Sequence, residues 1–279
     1  MGIYLRPSEI AEAVAALAAR PLTILAGGTD FYPAHVGKPL SEDILDVTAL
    51  TALRGIAEHA DHYRIGAAVR WSEFAAAALP PWFACLTLAA REIGGLQIQN
   101  AGTLAGNICN ASPAADGVPG LLALAAVVEL ASATGTRLMP LADFILGNRR
   151  TALRRDELVT AILVPKPRAA ARSTFRKLGA RKYLVISIVM VASLVETASD
   201  GTIMDARIAV GACSAVAQRL TPLERALRGR KLAPGIGALV ETAHLAALTP
   251  IDDVRGAAAY RSDAALTLVA RSLEDLAAP

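Results

Sequence analysis

The chain has 279 residues and a formal net charge of +3, an excess too small to indicate a nucleic-acid-binding surface. Apolar residues make up 54% of it and charged residues 19%, so it can bury a substantial core, and its length allows two domains. No C-x-x-C pair and no H-E-x-x-H motif occurs, so neither a metal site nor an iron–sulfur cluster is expected in this chain.

The N-terminal segment carries Glu9 and Glu12 where a signal peptide would be apolar. The longest apolar runs are shorter than the roughly 18 residues of a membrane span. Three widely separated cysteines, Cys85, Cys109 and Cys213, are typical of a reducing compartment. We therefore expect a cytoplasmic protein without a membrane span, in which Cys109 is a packing residue and not a redox group.

Periodicity and turn residues predict both helices and strands in the first part of the chain. Ile10, Val14 and Leu17 recur at helical spacing, and Ser8 is the expected N-cap of their helix. Asp46 alternates with apolar neighbours, which predicts a strand exposed on one face. The expected strands cover residues 23–26, 44–47, 63–69, 126–132, 137–141 and 157–164, and two further helices begin near Trp71 and Pro81.

Pro165 and Pro167 follow a predicted strand and cannot donate to a ladder, so we place a domain boundary there. The predicted domains are residues 1–167, with subdomains of about 1–55 and 56–167, and residues 168–279. In the second domain we expect strands at 173–178, 186–197 and 203–212, then helices at 222–228, 236–247 and 257–277.

Residues 100–124, NAGTLAGNICNASPAADGVPGLLAL, form a Gly-rich polar stretch. Glycine lets a backbone turn at positive φ and approach a ligand, and successive N–H groups in such turns bind anions. We expect short strands and turns around a phosphate-bearing ligand, with Asp116 accepting from a hydroxyl. The alternatives are a surface loop for the stretch and a helix N-cap for Asp116.

Residues 23–30, TILAGGTD, read as a buried strand that enters another glycine turn, at Gly27 and Gly28. Two such turns fit the two ends of a pyrophosphate. Neither has the spacing of a Walker loop or of G-x-G-x-x-G, which excludes both of those nucleotide sites. The chain also lacks G-x-S-x-G and any other catalytic side-chain set, so we expect a bound cofactor to carry the chemistry.

These motifs occur in a fixed order along the chain. AGGTD at 26–30 precedes GTLAGN at 102–107 and SPAAD at 112–116, and ELVTAILVP at 157–165 and FRKLGAR at 175–181 follow. Over its whole length the chain closely resembles the FAD-binding medium subunit of the molybdenum hydroxylases, the family of xanthine dehydrogenase and carbon monoxide dehydrogenase. It departs from the family at Ala105, where a second Gly is usual, and at 31–40, which lack a Met-Lys pair.

The resemblance implies an α+β chain with a two-subdomain FAD-binding fold of the vanillyl-alcohol oxidase/PCMH type. A smaller α/β C-terminal domain, with a three-stranded antiparallel sheet and helices, is expected to follow. The implied function is an oxidoreductase subunit that passes electrons from partner iron–sulfur clusters through FAD to NAD or another acceptor. The implied partners are a small [2Fe-2S] subunit and a large molybdopterin subunit, in a heterotrimer or a dimer of heterotrimers.

Two other hypotheses stay open, a stand-alone FAD oxidoreductase that acts on a small molecule and a binding module without flavin. By resemblance, the ADP and pyrophosphate lie against residues 26–30 and 102–107, Ile93 lies near the adenine, and Lys177 lies near the isoalloxazine. The full set of expected FAD-binding residues is Leu25, Ala26, Gly27, Gly28, Thr29, Asp30, Phe31, Ile93, Gly102, Thr103, Leu104, Ala105, Gly106, Asn107, Ser112, Asp116, Thr160, Ile162 and Lys177.

Overall fold

The computed structural model describes residues 2–278, which form three main β-sheets and a small two-stranded one, with helices packed against them. The strands are β1 (Tyr4–Leu5), β2 (Thr23–Leu25), β3 (Ile44–Asp46), β4 (Ile56–Glu58), β5 (His62–Gly66), β6 (Val127–Ser132), β7 (Gly135–Pro140), β8 (Ile145–Gly147), β9 (Arg150–Thr151), β10 (Leu158–Pro165), β11 (Ala170–Leu178), β12 (Val189–Thr197), β13 (Ile203–Gly211) and β14 (Gln218–Arg219). The helices are α1 (Ile10–Ala19), α2 (Phe31–Ala34), α3 (Trp71–Ala76), α4 (Ala84–Glu92), α5 (Leu96–Ala101), α6 (Leu104–Asn110), α7 (Gly117–Ala123), α8 (Leu141–Phe144), α9 (Thr221–Leu227) and α10 (Ala258–Ala277).

The first sheet is parallel and has the order β1-β3-β2, with α1 connecting β1 to β2. Helix α1 begins later than predicted, with Glu9 and not Ser8 at its N-cap, and no side chain caps it. The prediction that Asp46 is exposed is wrong, because Asp46 is buried and accepts hydrogen bonds from Tyr4 Oη and the backbone N–H of Thr48. These donors satisfy a carboxylate that would otherwise be costly to bury.

The second sheet has the order β4-β5-β10-β6-β7, and each pair of neighbours is antiparallel. Its central strand, β10, was predicted as a strand because it is an almost continuous apolar run, and seven of its eight residues are buried or half-buried. Strand β4 escaped prediction, because the sequence IAE is too short to show a period. Buried residues of this sheet belong to a core that also includes residues of the first sheet and of the C-terminal region.

The third sheet has the order β11-β12-β13-β14 and is antiparallel. The three predicted strands are present, and the two-residue β14 adds a fourth strand at the edge of the sheet. Alternate residues of β12 point to opposite faces. Met190 and Ala192 join the core that contains α4 and α7, whereas Val189 and Val191 join the core beneath α10. The predicted helix at 236–247 is instead two short 3₁₀ turns, Ile236–Leu239 and Thr242–Leu245.

Residues 100–124 differ most from expectation, because they form helices and not short strands and turns. Thr103 caps α6 by accepting from the N–H of Gly106, and Ala111 ends that helix with φ of 48°. In α7, a Cβ on Gly117 would lie 2.5 Å from the Trp71 ring. A side chain at this position would clash with the ring. The glycines of α7 therefore allow close helix packing and do not contact a ligand.

Candidate functional site

A cavity of about 480 Å³ opens between the first and second sheets. One wall comes from β2 and the turn that follows it, and another comes from α6. The apolar side chains of Trp71, Leu158 and Val159 close the inner side. The shape is therefore a cleft with an apolar floor and two backbone-rich walls, which is typical of a small-molecule or cofactor site.

The first glycine turn, residues 26–30, lies directly against the second. A Cβ on Gly27 would stand 1.9 Å from the carbonyl oxygen of Ala101, so only glycine fits at this contact. Gly28 has φ of +69°, and a Cβ there would meet the Tyr32 ring at 2.5 Å. Within the described residues 2–278, the N–H groups of residues 27–30 donate to no backbone carbonyl. They are available to an anionic ligand.

The second glycine segment, residues 102–107, leads into α6, and its start is held in place by residues 69–71. The N–H of Trp71 donates to the carbonyl of Gly102 at 3.1 Å, and the N–H of Leu104 donates to Val69 at 3.1 Å. Asn107 Oδ1 is buried and has no hydrogen-bond partner among residues 2–278. Because a buried acceptor without a partner carries a desolvation cost, this atom fits a ligand donor such as a hydroxyl.

Most of the predicted site residues meet at this cavity. Ala105, where the resembled family usually has glycine, lies inside α6 with a negative φ, so its Cβ is tolerated. The predicted residues that line the cavity are Leu25, Ala26, Gly27, Gly28, Thr29, Asp30, Phe31, Ile93, Gly102, Thr103, Ala105, Gly106 and Asn107.

Six predicted residues do not line the cavity. Leu104 and Ile162 are fully buried in the core, and Ser112 Oγ accepts from the N–H of Ala114. Thr160 Oγ1 donates to Glu129 Oε1 at 2.7 Å. The remaining two, Asp116 and Lys177, bond to each other, and the sequence did not indicate that pairing.

Asp116, Lys177 and Ser187 form a buried group of side chains, here called the Asp116 cluster. Lys177 Nζ lies 2.7 Å from Asp116 Oδ2, and the Lys177 and Asp116 side chains are 4% and 10% exposed. Ser187 Oγ donates to the other carboxylate oxygen. Burial raises the pKa of Asp116, and the neighbouring ammonium acts against that shift. Asp116 stands at the start of α7 but does not cap it, because both of its oxygens are engaged here.

The structure adds cavity residues that sequence reasoning missed. His35 and Glu42 contact each other at 3.1 Å on the outer wall, and Asn110 and Arg149 contact each other at 2.8 Å on the α6 side. Asn110 and Arg149 are 39 positions apart, so no local pattern indicates that pair, and His35 and Glu42 match no recognised motif. Cys109 also lines the cavity, and burial raises the pKa of its thiol, which supports the packing interpretation.

No helix within residues 2–278 combines the length and apolar character needed to cross a membrane. The same part of the chain contains no cluster of three or more His, Cys, Asp or Glu residues able to bind a metal ion.

Comparison with known families gives two matches along the chain. Residues 1–167 match the FAD binding domain in molybdopterin dehydrogenase, and residues 173–276 match the CO dehydrogenase flavoprotein C-terminal domain. The carbon monoxide dehydrogenase medium chain of Afipia carboxidovorans is 32% identical, over 97% of this chain and 95% of that one. The nicotine 6-hydroxylase medium subunit of Paenarthrobacter nicotinovorans is 29% identical, over 99% and 97%.

Among solved structures, carbon monoxide dehydrogenase from Hydrogenophaga pseudoflava, in a form that lacks the Mo-pyranopterin moiety of its molybdenum cofactor, matches with a TM-score of 0.88. The identity is 28%, and the match covers 99% of this chain and 96% of that one. The fold and the cavity thus define an FAD-binding flavoprotein of the oxidoreductases. The chain belongs to the family of FAD-binding domains in molybdopterin dehydrogenases, with the CO dehydrogenase flavoprotein C-terminal domain following in the same chain.

Proposed function

We propose that this chain is the electron-transfer subunit of a multi-subunit molybdenum hydroxylase. Bound FAD supplies the redox chemistry, between the iron–sulfur clusters of a partner and NAD or another acceptor. The observation that carries the proposal is that the glycine turn at residues 26–30, with free backbone donors, meets the glycine-containing start of α6 at one cavity. Similarity to medium chains over almost the whole length supports it.

In this proposal the chain binds, orients and shields its cofactor. The free N–H groups of residues 27–30 bind the diphosphate, which needs donors and not a specific side chain. Asn107 Oδ1 accepts from a cofactor hydroxyl. Trp71 and Leu158, each 2% exposed, exclude water from the inner side of the cavity.

We revise one part of the site that the resemblance implied. Lys177 Nζ lies 3.2 Å from the carbonyl of Glu92, and the next residue, Ile93, lines the cavity. Lys177 and Ile93 are therefore neighbours, whereas the adenine and isoalloxazine of an extended dinucleotide lie at opposite ends. Because the resemblance puts Lys177 near the isoalloxazine, we propose that Ile93 lies at the isoalloxazine end of the cavity and not at the adenine.

We further propose two partner subunits, a small one with [2Fe-2S] clusters and a large one with molybdopterin. The heterotrimer, or its dimer, would be cytoplasmic, and the free thiols of Cys85, Cys109 and Cys213 are consistent with a reducing compartment. The proposed domain boundary is at residue 167, and the proposed subdomain boundary is near residue 55.

The test is coexpression of the chain with the genes beside its own, followed by purification through a tag on this chain. We expect two further polypeptides and a visible spectrum with both flavin and iron–sulfur bands. Flavin bands on a lone chain that a small molecule reduces directly would support the stand-alone oxidoreductase instead. A colourless chain that takes up no added FAD would contradict both functions.

A further inference from the structure

Arg149 occupies a constrained position on the cavity wall. It lies in the turn between β8 and β9 with φ of 52°, a left-handed conformation that is unusual for a residue with a side chain. Its N–H donates to the carbonyl of Ala111 at 2.9 Å, and its Nη1 donates to Asn110 Oδ1 at 2.8 Å. The turn and the guanidinium are thus both anchored to the C-terminal end of α6.

The charges around the cavity make this position distinctive. Among the described residues that line the cavity, Arg149 is the one arginine or lysine, and Asp30 and Glu42 contribute carboxylates. Arg149 forms no salt bridge within residues 2–278, and its anchor occupies one of five N–H donors. An exposed guanidinium with a fixed direction and free donors is suited to a phosphate.

Helix α6 connects Arg149 with the part of the cavity where the diphosphate is expected. Asn110, which holds the guanidinium, lies one turn after Asn107 on α6, and both line the cavity. Residues three positions apart share a helix face. Arg149 therefore stands over the same face of α6 as the unpaired oxygen of Asn107.

We propose that Arg149 binds the diphosphate of the ADP half of FAD and is the cation that compensates its charge. The inference rests on the proposed FAD function and deepens it by naming a binding residue outside the glycine motifs. The backbone donors of residues 27–30 supply hydrogen bonds but no net charge. A dianionic diphosphate near two carboxylates therefore gains from a guanidinium on the opposite wall.

The test measures the dissociation constants of FAD and of ADP for the flavin-stripped full-length chain, copurified with its partners. FAD is followed by its fluorescence, and ADP is followed by competition. R149Q removes the charge but keeps an amide able to donate to Asn110. We expect the dissociation constants of both FAD and ADP to rise about tenfold in R149Q, which corresponds to the loss of one charge-assisted hydrogen bond.

The matched control is R150A, because Arg150, the next residue and the first of β9, is an exposed arginine that does not line the cavity. We expect its affinities to equal those of the wild type. R149K should lose less than R149Q, since it keeps the charge without the planar fork.

Three results separate the possibilities. If R149Q binds FAD and ADP as tightly as the wild type does, the proposed role of Arg149 is overturned and the FAD function stays intact. Weaker FAD with unchanged ADP would also overturn it, because the defect would then lie at the flavin half. A wild-type chain that binds neither ligand would contradict the FAD function itself.

Discussion

The cavity and the Asp116 cluster both come from segments whose sequence predicts cofactor contact. They differ in whether their polar groups have hydrogen-bond partners within the protein. At the cavity, the N–H groups of residues 27–30 and Asn107 Oδ1 have no protein partner of the kind they need. In the Asp116 cluster, both carboxylate oxygens and the ammonium of Lys177 are engaged. A ligand site keeps hydrogen-bonding capacity free, whereas a structural cluster satisfies itself.

The largest expected effect is in the Asp116 cluster. K177M leaves a buried carboxylate without its cation, so we expect the free energy of unfolding to fall by about 3 kcal/mol, measured by urea denaturation of the purified complex. The double variant D116N/K177M removes both charges and should recover much of that loss. K182M, at an exposed lysine, is the control and should leave stability unchanged. Full stability in K177M together with weaker FAD binding would show that Lys177 acts on the cofactor and not on the fold.

The next effect separates the two kinds of glycine. G27A places a methyl group 1.9 Å from a backbone oxygen, so the two turns must move apart. We expect FAD affinity to fall by about 100-fold, or about 2.7 kcal/mol, in a fluorescence titration.

G120A in α7 is the matched variant, because its Cβ would lie 3.2 Å from Leu86 Cδ1 and Gly120 does not line the cavity. It should leave FAD affinity unchanged and change the free energy of unfolding by less than about 1 kcal/mol, because the crowding of Leu86 opposes the higher helix propensity of alanine. An equal loss of FAD affinity in G27A and G120A would contradict the distinction between the two kinds of glycine.

A smaller effect is expected at Asn107. N107A removes a buried oxygen that has no protein partner, so the flavin-free chain should lose little stability. The same variant should bind FAD with an affinity about tenfold lower, because a cofactor hydroxyl then loses its acceptor. Equilibrium dialysis with FAD and thermal unfolding without it measure the two quantities. N148A, at an exposed asparagine, is the control. A large loss of stability in the flavin-free N107A chain would mean that Asn107 is structural.

The smallest effect depends on pH and concerns the outer wall of the cavity. His35 Nδ1 lies 2.7 Å from the carbonyl of Phe31, which can only accept, so Nδ1 carries a proton. Nε2 faces Glu42 Oε1 at 3.1 Å and needs a second proton for a favourable contact. The hydrogen bond to Phe31 and the contact with Glu42 accordingly raise the pKa of His35, and His35 lowers the pKa of Glu42.

The sign of the pH effect follows from these directions. The His35 contribution to stability is complete below the ordinary histidine pKa of 6.5 and is lost as pH rises through the raised value. The Glu42 contribution is complete above 4.5 and is lost as pH falls through the lowered value. H35A should therefore differ most from wild type between about pH 4.5 and 6.5, and the difference should shrink as pH rises through the raised His35 pKa, in unfolding curves recorded across pH. H59A, at an exposed histidine, is the control, and a difference that grows above pH 7 would contradict the pair.

Local motifs carried most of the successful predictions. The turn at 26–30 and its partner at 102–107 each combine glycine with small polar residues over a few positions, and both line the cavity. The long strands β10, β12 and β13 were predictable because their apolar runs are extended and end at turn residues. The antiparallel pairing of β12 with β13 agrees with the sequence between them, because Asp200 and Gly201 form an Asp-Gly pair typical of hairpin turns.

Tertiary contacts decided what the sequence could not indicate. Gly117, Pro119 and Gly120 suggest a loop, yet helix α7 forms because all of its residues are buried against neighbours such as Trp71 and Leu86. Asp116 and Lys177 are 61 positions apart, and only the packing of α4 on β11 and of α7 on β12 and β13 of the same sheet brings them together. Arg149 likewise reaches the cavity through its contact with Asn110, 39 positions away.

The most direct test is an experimental structure of the chain in its native complex with FAD bound. The account predicts the diphosphate within hydrogen-bond distance of the N–H groups of residues 27–30, a cofactor hydroxyl on Asn107 Oδ1, and the ion pair of Asp116 and Lys177 intact. A diphosphate elsewhere than between residues 26–30 and 102–107 would contradict it. So would a cofactor hydroxyl that displaces Lys177 from Asp116, because that result would make the Asp116 cluster part of the ligand site.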